Sequence, residues 1–293
     1  MVAIQGPTGQ AGSGRKIVGP EVRTASRQSA AARAGQSAAV AAHPGTPLQN
    51  RYGDADLDVF DLEERRRFGH GDPRRDAALR WELVYRLEPE LYDRLIRAEP
   101  LHPAILDWLP ARPGTVVEVG AGTGRLTLPL ATRAGELIAV EPAGPLRSIL
   151  ATRLAAAGFS HATPVRGFFD RLPAPDGWAD LVVACSALAP EDAHGGDAGL
   201  QEMERCCRAG GLVAIVMPQG SEWLVPRGYS EISFPGELVM EFRSLDEAVE
   251  LAGIFYPHAV DEILRRGQRC VPYDLLGTCP PRDVAFKRKP RET

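Results

Sequence analysis

The stretch VVEVGAGTGR, residues 116–125, carries the clearest structural signal in this chain. It predicts a buried strand, a turn with glycine at three alternate positions, and the start of a helix. Glycine is needed in such a turn because a ligand must approach the backbone without meeting a Cβ, and because the turn requires unusual dihedral angles. The stretch therefore predicts a strand of a layered α/β sheet, with a ligand site at the end of that strand.

A carboxylate follows this turn at an informative distance. Glu141 comes 21 positions after Gly120, directly after the apolar run 137–140. A carboxylate at the end of the second strand can accept hydrogen bonds from both hydroxyls of an adenosine ribose. The alternative is a tight strand-to-helix turn without a ligand. The agreement between turn, strand and acid favours nucleoside binding.

Short apolar runs alternate with helical patterns through the central region. The runs lie at 115–119, 137–140, 163–166, 181–185 and 212–217. Strands that are apolar on both faces and separated by helices belong to a parallel sheet covered on both sides. The predicted fold class is therefore α/β, with a Rossmann-like, doubly wound sheet.

Three regions are predicted along the chain. We predict that residues 1–53 form a disordered N-terminal extension, because they are rich in small and polar residues and show no hydrophobic period. The alternative is an organellar transit peptide. Residues 54–113 predict a helical cap, in which leucines recur every four residues and Pro89 opens the second of two helices. Residues 114–293 predict the α/β domain, with a lid-like insertion at about 219–236.

Composition and charge exclude several classes of protein. The 293 residues include 34 basic and 38 acidic side chains, which gives a formal net charge of −4. A mildly acidic chain lacks the broad basic face of a nucleic-acid-binding protein, and no apolar run is long enough to span a membrane. The 5 cysteines are scattered and do not stand at metal-ligand spacing. We therefore expect a cytoplasmic protein with no metal, no nucleic acid and no membrane partner.

The glycine pattern narrows the choice of nucleoside. The dinucleotide fingerprint is G-x-G-x-x-G, whereas this chain has G-x-G-x-G with Arg125 where the third glycine would stand. A phosphate-binding loop is also disfavoured, because no Lys-Ser or Lys-Thr follows the glycines.

At this point the sequence resembles the class I S-adenosylmethionine-dependent methyltransferases. The similar segments, in order, are motif I at 116–131, the second strand with its ribose-binding acid at 137–146, the stretch into strand four at 167–188, and the Gly-Gly turn into strand five at 206–218. The resemblance implies S-adenosyl-L-methionine as cofactor and a methyltransferase domain over 114–293. It further implies a seven-stranded, mostly parallel sheet that ends in an antiparallel hairpin, which we predict at 270–276 and 283–287.

The resemblance also implies a set of cofactor-binding residues: Glu118, Gly120, Ala121, Gly122, Gly124, Glu141, Pro142, Phe168, Phe169, Asp170 and Cys185. Family members commonly carry Gly-Asp after strand three, with the Asp near the adenine amine, but Gly167 is followed here by Phe168 and Phe169. We expect one phenylalanine to pack on the adenine face, and Asp170 or backbone amides to meet the ring edge. The alternative is that Phe168 and Phe169 are core residues.

The cap and the segment after strand five are expected to hold a small-molecule acceptor. Their arrangement resembles that of secondary-metabolite methyltransferases, including those that act on aromatic or indole-like natural products. The predicted substrate-binding residues are Trp81, Tyr85, Trp223, Tyr229 and Tyr256, and the predicted catalytic residues are His102 and Tyr92. His102 could instead cap a helix, and both Tyr85 and Tyr92 could be core residues. A homodimer is a candidate assembly.

Two other functions fit the same fold. A nicotinamide-dependent oxidoreductase would need a Tyr-x-x-x-Lys pair or its equivalent, which the sequence lacks. A non-catalytic, methyltransferase-like binding module would retain the fold without cofactor affinity. The three glycines and Glu141 argue against that second alternative.

Overall fold

The computed structural model describes residues 45–69 and 71–291. Four helices lead into the sheet: α1 (Leu62–Phe68), α2 (Ala77–Leu87), α3 (Pro89–Ala98) and α4 (Pro103–Trp108). Pro89 occupies the first turn of α3, where its missing N–H needs no partner, so α2 and α3 are two helices as predicted. The extension predicted for 1–53 lies outside the described residues as far as residue 44.

Strands and helices then alternate along the chain. The elements that build most of the sheet are β1 (Thr115–Val119), α5 (Thr127–Ala131), β2 (Glu136–Val140), α6 (Gly144–Ala156), β3 (Ala162–Val165), β4 (Ala179–Cys185), α7 (Gly196–Cys206) and β5 (Cys207–Val216). The remaining elements are α8 (Ser221–Leu224), β6 (Ser230–Ser233), β7 (Val239–Glu241), α9 (Leu245–Phe255), α10 (Val260–Arg266), β8 (Cys270–Pro272), α11 (Tyr273–Leu276) and β9 (Asp283–Arg288).

Seven strands form the main sheet in the order β3-β2-β1-β4-β5-β9-β6. The first five are mutually parallel, and β9 runs antiparallel to both of its neighbours. Helices α5 and α6 cover one face and α7 covers the other, so β1 is buried on both sides. The predicted Rossmann-like, seven-stranded, mostly parallel sheet is confirmed.

The predicted C-terminal hairpin is wrong. Residues 270–272 pair with β7 rather than with β9, and 273–276 are helical. Strand β9 lies between β5 and β6 and pairs antiparallel with both, and β6 lies within the segment 219–236 predicted as a lid. The reason is burial: Val271, Tyr273 and Leu276 pack into a separate apolar cluster, so the apolar pattern of this segment serves another core.

That separate cluster forms a roof made from two distant parts of the chain. Leu83 of α2 and Leu95 of α3 share one apolar core with Leu251 and Phe255 of α9. The roof therefore combines the N-terminal cap with the insertion between β6 and β9. In the described part of the chain, no helix is both long enough and apolar enough to cross a bilayer.

Candidate functional site

The glycine loop after β1 adopts a conformation that favours glycine. Gly120, Gly122 and Gly124 have φ angles of +73°, +55° and +103°, which L side chains rarely adopt. A Cβ on Gly120 would lie 2.5 Å from the Cβ of Ala187, and one on Gly124 would lie 2.7 Å from Cδ1 of Leu150. The backbone N–H groups of Gly120 and Ala121 donate to the carbonyl of Val140, at the end of β2. The loop is thus held close against its surroundings.

Glu141 lies directly behind this loop. Its Oε2 accepts a hydrogen bond from the backbone N–H of Gly122 at 2.9 Å, and its Oε1 accepts one from Ala143 at 2.8 Å. The side chain is buried, and burial raises its pKa against the lowering effect of these two N–H groups. A carboxylate has about four lone-pair positions, so each oxygen can accept a further hydrogen bond from a ligand hydroxyl. The structure brings the loop and the acid together.

Glu118, on β1, is a second carboxyl near the loop. It is 1% exposed, and its Oε2 has no hydrogen-bond partner among the described residues. Burial raises the pKa of Glu118 to about 8. A buried carboxyl oxygen without a donor is costly unless a ligand supplies one, and a ligand ammonium would do so.

The raised pKa of Glu118 predicts a pH-dependent stability. The folded chain keeps a proton that the unfolded chain releases above its ordinary pKa near 4.5. The stability from this group is therefore complete below that value and is lost as the pH rises towards 8, by at most about 5 kcal/mol. We expect Glu118→Gln to flatten the urea-unfolding free energy between pH 5 and pH 8, whereas Glu136→Gln, at an exposed acid, keeps the wild-type slope. Equal slopes in all three proteins would contradict the prediction.

The residues predicted at the adenine end divide into two groups. A Cβ on Gly120 would lie 3.9 Å from the ring of Phe169, so Phe169 is close to the glycine loop. Phe168 is buried beneath α1, with the Arg67 guanidinium 4.2 Å from its ring centroid. Asp170 accepts a hydrogen bond from the same arginine at 2.7 Å. Phe168 and Asp170 therefore contact the cap. Pro142 follows Glu141 directly, and its carbonyl accepts from Arg147.

Arg125 organises the other end of the site. It forms a buried ion pair with Glu99 and donates to Oγ of Ser186 at 2.8 Å, while its Nη2 lies 3.4 Å from Sγ of Cys185. Ser186 has φ +54°, a left-handed conformation that is uncommon outside glycine and asparagine. Sequence reasoning noted Arg125 only as a missing glycine and overlooked Glu99 and Ser186. Only the position of Arg125, directly after the glycines, could have indicated a role.

Aromatic side chains of the roof face this end of the site. The hydroxyl of Tyr92 would lie 3.2 Å from a Cβ on Gly122, and the Tyr85 ring packs edge-on against Tyr92 with centroids 4.8 Å apart. Tyr256 and Tyr273 come from the insertion. Burial raises the pKa of both phenols, and the charges of Glu99 and Arg125 also act on these pKa values. The hydroxyl of Tyr273 has no partner within the described ranges, and sequence reasoning did not select it.

Three of the predicted catalytic and substrate-binding residues make their contacts away from the glycine loop, and a fourth packs inside the roof. His102 caps α4, with Nδ1 accepting from the N–H of Ala104 and Nε2 lying 3.1 Å from the Pro235 carbonyl. Tyr229 donates to Glu204, and the Trp223 indole donates to a backbone carbonyl; both pack on the α7 face of the sheet. Trp81 stacks on Phe255 with ring centroids 5.3 Å apart, inside the roof.

Comparison with known proteins finds matches to methyltransferases. Residues 116–211 match the family model described as a methyltransferase domain. Uncharacterized methyltransferases of Mycobacterium bovis and Mycobacterium tuberculosis are 30% identical over 122 residues, which is 41% of this chain and 47% of each relative. This chain thus spans about half the length of the curated relatives it matches.

Two solved structures align with part of this chain. The YcgJ protein from Bacillus subtilis aligns with a TM-score of 0.43 and 15% identity, over 65% of this chain and 97% of that chain. A SAM-dependent methyltransferase from Aquifex aeolicus aligns with a TM-score of 0.41 and 17% identity, over 54% of this chain and 94% of that one.

Proposed function

Because residues 116–211 belong to the methyltransferase-domain family, of the class I, S-adenosylmethionine-dependent type, we propose that the whole protein methylates a small-molecule acceptor. The single observation that carries the proposal is the contact between the glycine loop and Glu141. Gly122 donates its backbone N–H to that carboxylate at the carboxyl ends of β1 and β2, which is where open α/β sheets bind nucleosides.

The side chains around the loop suit the cofactor. Glu141 offers free lone pairs to two ribose hydroxyls, and the orphaned Oε2 of Glu118 offers an acceptor to an ammonium group. Gly120 packs closely against Ala187, where a Cβ would collide, so the loop keeps one fixed conformation. S-adenosylmethionine, when bound, supplies a methyl group on an electrophilic sulfonium. The residues of the chain bind and orient the cofactor and the acceptor, and they exclude water from the site.

The roof supports an aromatic or indole-like acceptor. The rings of Tyr85, Tyr92, Tyr256 and Tyr273 offer apolar faces with polar hydroxyl tips, which suits a flat, partly polar molecule. Burial raises the pKa of the Tyr92 phenol, so Tyr92 keeps its proton and acts as a hydrogen-bond donor. His102 has partners for both ring nitrogens, so we assign it to helix capping and not to proton removal.

In this proposal the roof contributes mainly proximity and orientation. Holding acceptor and donor in line converts a bimolecular displacement into an effectively unimolecular one, which can remove about 7–11 kcal/mol from the barrier. The buried pair of Arg125 and Glu99 orients Ser186 at this end of the site.

Titration calorimetry tests the proposal directly. We expect S-adenosylhomocysteine to bind in the micromolar range, with NAD as a control ligand that gives no binding heat. Transfer from S-adenosylmethionine labelled in its methyl group should then favour phenol and indole acceptors over aliphatic alcohols. A folded wild-type chain that does not bind S-adenosylhomocysteine would refute the enzymatic proposal.

One observation favours a second candidate, a non-catalytic binding module. The Tyr92 hydroxyl approaches Gly122 closely enough that the roof already contacts the loop. The calorimetric titration separates the two functions, since a binding module of this kind would fold but would not bind S-adenosylhomocysteine.

A further inference from the structure

A cavity of about 230 Å³ opens at the cap. Its walls come from the end of α1, from α2 and from the short helix Asp192–His194. Phe68 and Leu79 give it apolar surface, and the polar groups Arg67, Glu82 and His194 also line it. Apolar walls with a few converging polar groups are typical of a small-molecule site.

Glu82 is a buried acid with one oxygen unused. It is 8% exposed, and its Oε2 accepts a hydrogen bond from Nη1 of Arg86 at 2.6 Å. Arg86 is in turn held by Glu64 at 3.1 Å and lies over the Phe60 and Phe68 rings, so the Glu82 side chain is fixed. No described residue donates a hydrogen bond to its Oε1. A fixed carboxylate oxygen on a cavity wall can accept an N–H from a ligand.

The segment that would usually hold the adenine amine offers little here. Phe168 stands where the family commonly has an acid, and its ring lies 6.4 Å from that of Phe68, which lines the cavity. The next acid, Asp170, is paired with Arg67 on the surface. The loop after β3 thus presents an apolar ring to this region, while the nearby carboxylate of the cavity wall belongs to α2.

The cavity adjoins the glycine loop through the ring of Phe169. Gly195 follows His194 of the cavity wall, and a Cβ on Gly195 would lie 3.0 Å from Cγ of Phe169. The same ring lies 3.9 Å from a Cβ placed on Gly120. The cavity wall and the glycine loop therefore border the same aromatic ring.

We propose that Glu82, fixed by Arg86, accepts a hydrogen bond from the exocyclic amine of the adenine ring. The cap helix α2 thereby takes over base recognition from the loop after β3. Phe168 and Phe68 provide apolar surface beside the base. This proposal rests on the proposed function, because it concerns the same cofactor.

The test compares two ligands that differ only in the amine. S-adenosylhomocysteine and its 6-deamino analogue, whose purine lacks the amino group, are titrated calorimetrically into the full chain. The wild type should bind the analogue about ten- to hundredfold more weakly, since a hydrogen bond to a charged acceptor is lost. In Glu82→Met, which keeps the length of the side chain, the two ligands should bind equally. Glu88→Met, at another arginine-paired acid, should keep the wild-type ratio.

The outcomes separate this inference from the proposed function. Equal discrimination by wild type and Glu82→Met, or no discrimination by the wild type, overturns the role of Glu82. A wild type that binds neither ligand overturns the cofactor assignment itself. If Glu82→Met does not fold, Glu82→Gln serves instead: its neutral oxygen should lower the ligand ratio at least about threefold, and an unchanged ratio overturns the inference.

Discussion

Glu141→Ala is expected to weaken S-adenosylhomocysteine binding at least about a hundredfold. The carboxylate is placed to receive two ribose hydroxyls, and hydrogen bonds to a charged group contribute about 1.5–3 kcal/mol each. Losing two of them costs about 3 kcal/mol or more, and each 1.4 kcal/mol is about tenfold in affinity. The same substitution leaves the N–H groups of Gly122 and Ala143 without an acceptor, so the loop is also loosened. Calorimetric titration of wild type and variant measures the effect.

A ligand without the two hydroxyls separates these contributions. The 2′,3′-dideoxy analogue of S-adenosylhomocysteine should bind wild type and Glu141→Ala with similar, weak affinity if the carboxylate recognises the ribose. Glu136→Ala, at an exposed acid that starts β2, should bind both ligands as the wild type does. Should Glu141→Ala discriminate between the two ligands as strongly as the wild type, another group must hold the sugar.

Arg125→Met is expected to destabilise the fold by about 3–5 kcal/mol. Its ion pair with Glu99 is buried on both sides, with 13% and 11% of the two side chains exposed. Removing one partner leaves the other charge buried and unpaired, which costs far more than the pair itself contributes. The Oγ of Ser186 loses a donor as well. Urea unfolding monitored by circular dichroism gives the change in free energy.

A double variant tests whether the cost comes from the unpaired acid. Glu99→Leu combined with Arg125→Met removes both charges and should recover most of the lost stability, so the coupling free energy between the two positions should be about 2 kcal/mol or more. Arg97→Met serves as control, because Arg97 pairs with Asp93 while largely exposed and should cost about 1 kcal/mol or less. Additive effects at Glu99 and Arg125 would show that the two side chains act independently.

Long-range pairing explains the main error in the sequence prediction. The run 270–276 has the composition of a strand, and a strand close to the next one along the chain predicts a hairpin. Its apolar residues instead pack with α2, α3 and α9, and β9 pairs with β6, far back in sequence. Apolar pattern indicates that a segment is buried but not which core buries it. The same limit applies to Tyr229, an aromatic residue that packs on the opposite face of the sheet from Arg125.

The amino-acid sequence alone predicted the glycine loop, Glu141 and the alternation of strands and helices. They depend on φ angles, turn chemistry and apolar runs within short segments, and such effects are local. The partners of Arg125, the roof shared by α2, α3 and α9, and the place of Glu82 on a cavity wall required the folded chain. They depend on contacts between segments that are distant in the sequence. The spacing of residues along the chain does not indicate which of these segments bury or pair with one another.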